Sequence, residues 1–183
     1  MPLSVEQALA NFSQRYVEAW KAQHDCLPIN EELVGLASPC IEETRDLEIS
    51  WQPIVRDEAI RLHNIEQGIE LDLHDDFHAF YGTQYSADMT AKFEDMNIEL
   101  LQVWSDEDLE RLQGNMLGHL VMQRRLKLVP ALFVAVTDDE MEVVSICNQS
   151  GEVILDRVGT KNRTVLAANM AEFLNKLEPV IAA

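Results

Sequence analysis

Basic side chains are scarce beside acidic ones in this chain. Its 183 residues hold 14 Lys or Arg against 32 Asp or Glu, a formal net charge of −18 with histidine neutral. A surface this acidic repels nucleic acid and anionic lipid, and attracts basic partners. Cysteine is also rare. Cys26, Cys40 and Cys147 are odd in number and no pair has metal-finger spacing, so they read as reduced packing residues of a reducing compartment. Long apolar runs are missing too. The longest without charge, Leu128 to Thr137, has ten residues, about half of what a membrane span needs. Met1-Pro2-Leu3-Ser4 leads straight into a helix pattern, so no basic-plus-apolar leader is read there and a soluble, cytosolic protein is expected. Seven scattered glycines form neither G-x-G-x-x-G nor a phosphate-cradling loop.

What is present suits a folded chain. Apolar residues make up 47%, too many for disorder, and the length suits one domain with a sizeable core. The charge is uneven. Residues 1–116 carry 24 acids and 7 bases, residues 117–183 carry 8 and 7, and the stretch 37–116 alone has a balance of −14. Either the acids only keep the chain soluble, or they converge on one surface.

Ser4 with Gln7 forms a capping box. It opens a helix to about His24, with Val5, Leu9, Phe12, Tyr16 and Trp20 on one face. Leu47, Ile49 and Trp51 alternate with polar residues, as do Ile69, Leu71 and Leu73, and both runs are expected as strands. Met89–Phe93 and Ile98–Gln102 fit a hairpin. Ser105 and Asp108 open the longest helix, closed near Arg125 by Arg124, Arg125 and Lys127, cations that suit its negative end. Strands are expected at 132–137, 143–148 and 153–155, and a last helix at about 164–177. Hairpin-linked strands with interspersed helices predict an α+β fold with a largely antiparallel, curved sheet.

Several motifs carry possible chemistry. His74 and His78 in His74-Asp75-Asp76-Phe77-His78 could share a zinc ion if helical, in a metal-dependent hydrolase, but the chain's Asp75 replaces the usual Glu by one methylene less. The bland alternative is a surface turn plus a packing histidine. Gly114 and Gly118 suggest a helix lying close against a sheet. Ser150 lacks the flanking glycine of a nucleophile elbow. The remaining candidates are carboxylates at strand edges. Asp88 and Asp95 are the main partner-binding candidates, with Glu94, Glu99, Asp72, Asp75 and Asp76 beside them. Phe80, Tyr81 and Tyr85 are candidate aromatic contacts, with at least two expected in the core.

Ordered short matches run along the whole chain. They are Ser38-Pro39-Cys40, Trp51-Gln52-Pro53, His78, Phe80, Tyr81, Gln84, Asp88-Met89, Leu100-Leu101-Gln102, Trp104-Ser105, Gly118-His119-Leu120, Arg125-Leu126-Lys127-Leu128, Cys147-Asn148 and Ser150-Gly151-Glu152-Val153. Together they resemble the SecY-interacting Syd family of Gram-negative bacteria, within the SUKH superfamily. His74 stands outside that pattern, which weakens the metal reading. The resemblance implies one Syd-like domain over 1–183, an α/β SUKH-like architecture, and no catalysis, cofactor or metal. It implies a negatively charged concave surface that binds the basic cytosolic loops of the SecY translocon subunit, as a check on uncomplexed SecY. Such a protein sits peripherally at the cytoplasmic face of the inner membrane, without inserting into lipid or binding nucleic acid. Superfamily relatives offer a second function, an immunity-type module for a basic toxin.

Overall fold

The computed structural model of this chain describes residues 3–182. It begins with helix α1 (Val5–His24), where the Ser4 and Gln7 side chains each accept the other's backbone N–H. Three short strands follow: β1 (Ile29–Asn30), β2 (Ile41–Thr44) and β3 (Ile49–Trp51), in the order β1-β3-β2. Strand β4 (Ile54–Val55), helices α2 (His63–Ile69) and α3 (Asp75–Gly82), and β5 (Gln84–Tyr85) come next, with β4 pairing β5.

The main sheet is built by β6 (Met89–Phe93), β7 (Met96–Leu100), β8 (Ala131–Thr137), β9 (Glu142–Cys147), β10 (Val153–Arg157), β11 (Arg163–Ala167) and β12 (Glu178–Pro179). Helix α4 (Asp106–Arg125) lies between β7 and β8, and α5 (Met170–Lys176) between β11 and β12. The seven strands run β11-β10-β9-β8-β7-β6-β12, with every pairing antiparallel. The sheet curls into a half-barrel, and the fold is α+β.

One contiguous apolar cluster fills the space between the sheet and the helices. It includes Leu9 and Phe12 of α1, Phe77 and Phe80 of α3, Met116 and Leu120 of α4, and Phe173 of α5, all at most 2% exposed. Burial of such side chains supplies the main drive for folding, about 1.5–3 kcal/mol each. An aromatic chain crosses this core. Tyr16 lies 6.1 Å from Trp51, and Trp51 meets Trp104 edge-on at 6.2 Å. The three cysteines are free thiols.

Several expectations give way to longer-range order. The strand expected at Ile69–Leu73 is absent. Helix α2 runs to Ile69 and ends on Glu70 in the left-handed region (φ 53°). The Leu71 N–H then donates to the Glu66 carbonyl and the Leu73 N–H to the Glu66 carboxylate, so the groups a strand would pair are already satisfied. The last helix is shorter than expected. Residues 163–167 pair with β10 instead, and Asn169 caps a helix that starts only at Met170. Gly114 and Gly118 do not admit a sheet: a Cβ at either meets nothing within 4 Å.

Candidate functional site

A groove of about 930 Å3 opens at one end of the half-barrel. One wall is the loop between β1 and β2. The Asn30 side chain accepts from the Glu32 and Leu33 N–H groups, which turns the chain, and Gly35 takes a left-handed φ of 85°. The opposite wall is the start of α4. Ser105 caps that helix by accepting from the Asp108 N–H, and Asp106, Glu107 and Asp108 fill its first turn, where carboxylates suit the positive end of the helix dipole. The floor is the approach to β6, Ser86 to Asp88, with Glu99 of β7 alongside.

Half-buried contacts fix these walls. Ser38 Oγ donates to the Trp104 carbonyl at 2.6 Å and accepts from the Cys40 N–H at 3.0 Å. Trp104 Nε1 donates to the Leu36 carbonyl at 2.9 Å, tying loop to helix. Beneath the floor, Gln84 Nε2 donates both to Ser13 Oγ and to Gln102 Oε1, and the Gln102 N–H donates to Asp88 Oδ1 at 2.8 Å. So a buried relay from α1 holds Asp88 in place. These positioning residues — Ser38, Gln84, Gln102, Trp104, Ser105 — are among those on which the sequence resemblance rests.

Six carboxylates line the groove: Glu32, Asp88, Glu99, Asp106, Glu107 and Asp108. Arg111 is the one basic side chain among its lining residues. Asp106 is anchored at its end by Tyr85 Oη–H, 2.6 Å away, and by Arg56 at 3.7 Å, whose guanidinium stacks over the Tyr85 ring. Phe80 and Tyr81 are buried, so Tyr85 is the one of the three expected aromatics at the groove's margin.

Asp88 has an unusual carboxyl group. Water reaches the residue by surface area, yet the groove walls displace much of the carboxylate's hydration and push its pKa up to about 7. The Gln102 N–H opposes this, Glu99 and Asp108 add to it, and Arg111 opposes it. Because the folded-state value lies above the unfolded one, the carboxyl costs no stability well below pH 4, costs progressively more between about pH 4 and 7, and adds no further cost above that. Asp88→Asn keeps an acceptor for Gln102 and removes that cost. Its stability relative to the parent chain is expected to rise between pH 5 and pH 8. Urea unfolding at the two pH values checks this, and a difference independent of pH would remove the assigned cause.

The other candidate acids lie elsewhere. Glu94 and Asp95 form the tight turn between β6 and β7, beyond the Phe93–Met96 pair and about 20 Å along the strand from Asp88. Asp75 pairs with Arg61 at 3.1 Å, and Asp72 and Asp76 flank the start of α3, outside the groove lining. Of the seven acids singled out from sequence, the structure gathers Asp88 and Glu99 in the groove. Sequence reasoning missed Glu32, Asp106, Glu107 and Asp108. The signal for the last three was the capped, all-acid first turn directly after Trp104.

His74 and His78 turn to different partners. His74 is the cap of α3, outside its helical turns, and its Nδ1 accepts from the Asp76 N–H. His78 is 3% exposed, accepts the Leu62 N–H on Nδ1 at 3.0 Å, and presents Nε2 to Glu66 at 3.4 Å. Burial lowers its pKa, which fits a neutral ring. Among the described residues no cluster of three or more His, Cys, Asp or Glu has metal-holding geometry.

Fold and groove together define an α+β protein with a half-barrel antiparallel sheet and an acidic groove at one end. The family model for "Syd protein (SUKH-2)" matches residues 6–179. A Protein Syd of Aliivibrio fischeri (strain MJ11) is 99% identical over 183 residues, covering 100% of both chains. Those of Aliivibrio salmonicida and Pectobacterium carotovorum are 85% and 48% identical over 182 and 180 residues. The latter match covers 98% of this chain and 99% of the relative. This chain belongs to the Syd family. No helix among the described residues is long and apolar enough to cross a membrane.

Proposed function

We propose that this chain is a non-catalytic binding protein whose acidic groove receives the basic cytosolic loops of the SecY translocon subunit. In this reading the whole chain is one Syd-like domain, and it acts as a check on uncomplexed SecY at the cytoplasmic face of the inner membrane. The observation that carries the reading is the convergence of six carboxylates against one guanidinium in a single groove. Family membership supports SecY as the partner. Cytosolic loops of membrane proteins are enriched in Lys and Arg, which gives the groove a ligand of complementary charge. A chain of −18 is repelled by the anionic inner leaflet and by nucleic acid, so a basic protein loop is what brings it to the membrane surface. Opposite charge speeds encounter and rejects acidic partners.

Purified chain titrated onto SecY in lipid discs tests this. Affinity is expected to fall about tenfold between roughly 0.05 and 0.3 M salt, because exposed charges are screened over about 6–14 Å in that range. Salt-independent binding would overturn the electrostatic account. No binding to SecY, with retained capture of a basic toxin domain, would move the reading to an immunity-type module.

A further inference from the structure

Arg111 occupies the ground that an incoming cation would take. Its guanidinium pairs with Asp108 Oδ1 one helical turn back, while the other Asp108 oxygen accepts the Trp104 N–H at 2.8 Å. Its charge also reaches Asp88 on the groove floor. The two arginines near the groove are held very differently. Arg56 is 15% exposed and stacked 4.4 Å over Tyr85, so packing fixes it beside Asp106. Arg111 is 75% exposed, and it pairs with the Asp108 carboxylate. Asp108 is 19% exposed, but with its cation in open water a pair three residues apart on a helix is weak and exchanges with other cations.

We infer that Arg111 is a resident counter-ion, which a basic segment must displace to seat in the groove, and that it sets the cationic charge a partner needs. This rests on the groove being the binding surface. A segment with one cation breaks one pair to make one, and gains little. A segment with several reaches Asp88, Glu99 and Glu107 as well, and comes out ahead. Arg111 thereby puts the same displacement cost on every basic segment, so that only a segment with several cations binds measurably.

The test uses the full-length chain and two fluorescent glycine-serine peptides, one with four spaced lysines and one with a single lysine. Fluorescence anisotropy is read at pH 8, above the pKa of about 7 that the groove gives Asp88. Arg111→Gln is expected to bind both peptides about tenfold more tightly, equivalent to about 1.4 kcal/mol, and so to bring the single-lysine peptide into measurable range. Arg111→Lys restores the competing charge and is expected to return the parent affinities. Unchanged or weaker binding by Arg111→Gln, or Arg111→Lys binding as tightly as Arg111→Gln, would overturn the inference. A parent chain that binds neither peptide would instead overturn the groove reading itself.

Discussion

Lysine at both 88 and 99 is expected to weaken binding of a basic SecY loop at least a hundredfold at pH 8. The two reversals change the groove lining from six carboxylates and one guanidinium to four against three, so its net charge drops from −5 to −1. The new ammonium groups stand on the floor, where a partner's cations would otherwise meet Asp88 and Glu99. Two unit charges about 4 Å apart near a protein surface interact by up to about 4 kcal/mol, and screening reduces this. A hundredfold loss needs only about 2.7 kcal/mol from the pair. The control has the same arithmetic in another place. Glu94→Lys with Asp95→Lys makes an identical change in total charge at the hairpin tip, about 20 Å from Asp88 and beyond the roughly 8 Å reach of exposed charges at physiological salt. Its affinity is expected to stay within about threefold of the parent's. Equal losses from both pairs would mean that net charge alone attracts the loop. Loss only at the tip would move the site there. Since Asp88 accepts the Gln102 N–H, Asp88→Asn with Glu99→Gln is the companion variant that keeps this bond, and circular dichroism confirms that each chain is folded.

Much of the architecture was legible because local rules and tertiary packing agree. Ser4 with Gln7 and Ser105 with Asp108 mark true helix starts. The alternation Met89, Ala91, Phe93 marks a strand buried on one face, and its partner strand follows after the two-residue turn. Local reading fails where a distant group competes. Ile69, Leu71 and Leu73 alternate like a strand, but the Glu66 carboxylate and carbonyl take the donors. Residues 163–167 have a helix-like stripe, yet they complete the edge of the sheet, and β-branched Thr164 and Val165 suit that place.

The site was legible in charge and illegible in shape. Composition located the surplus of acids within 37–116, but alternation along a strand reports faces and not ends. It therefore grouped Asp88 with Asp95, which the length of β6 separates. Asp106, Glu107 and Asp108 already had a local explanation as dipole partners in a helix's first turn, and that concealed their place in the groove lining. Glu32 reaches the same groove from a loop far away in sequence, placed there by the Trp104–Leu36 bond. The ordered short matches did better than the acids. Ser38, Gln84, Gln102 and Trp104 carry no charge, yet they hold the walls on which the charges stand.

Gly82→Ala is expected to destabilise the fold strongly, unlike the same change at Gly114 or Gly118. A Cβ at Gly82 would fall 2.1 Å from the Ile60 carbonyl oxygen and 3.1 Å from its carbon, both main-chain atoms that no rotamer change can move aside. The Gly82 carbonyl also accepts the Ile60 N–H at 2.9 Å, so pushing the segments apart costs that bond too. Overpacking typically costs 1–3 kcal/mol, and losing a buried backbone bond adds about 1–3 more. A total of about 3 kcal/mol or above corresponds to a fall in Tm of roughly 6–12 °C for a chain of this size. Gly114→Ala and Gly118→Ala give the opposite sign. Both sit in exposed turns of α4 with no atom within 4 Å of the new methyl, and Ala is favoured over Gly in a helix by about 1 kcal/mol. Each is expected to raise Tm by roughly 2–4 °C. The consequence at Gly82 extends to the groove. Helix α3 ends there, and the next residue, Thr83, accepts the Arg56 N–H at 2.9 Å through its carbonyl. Arg56 in turn stacks on Tyr85 and holds Asp106. Displacing the α3 terminus therefore moves one anchored carboxylate of the groove, so Gly82→Ala is expected to lose SecY-loop affinity along with stability, while the α4 variants keep it. A Gly82→Ala chain that melts with the parent would show that residues 60 and 82 are not packed main chain against main chain.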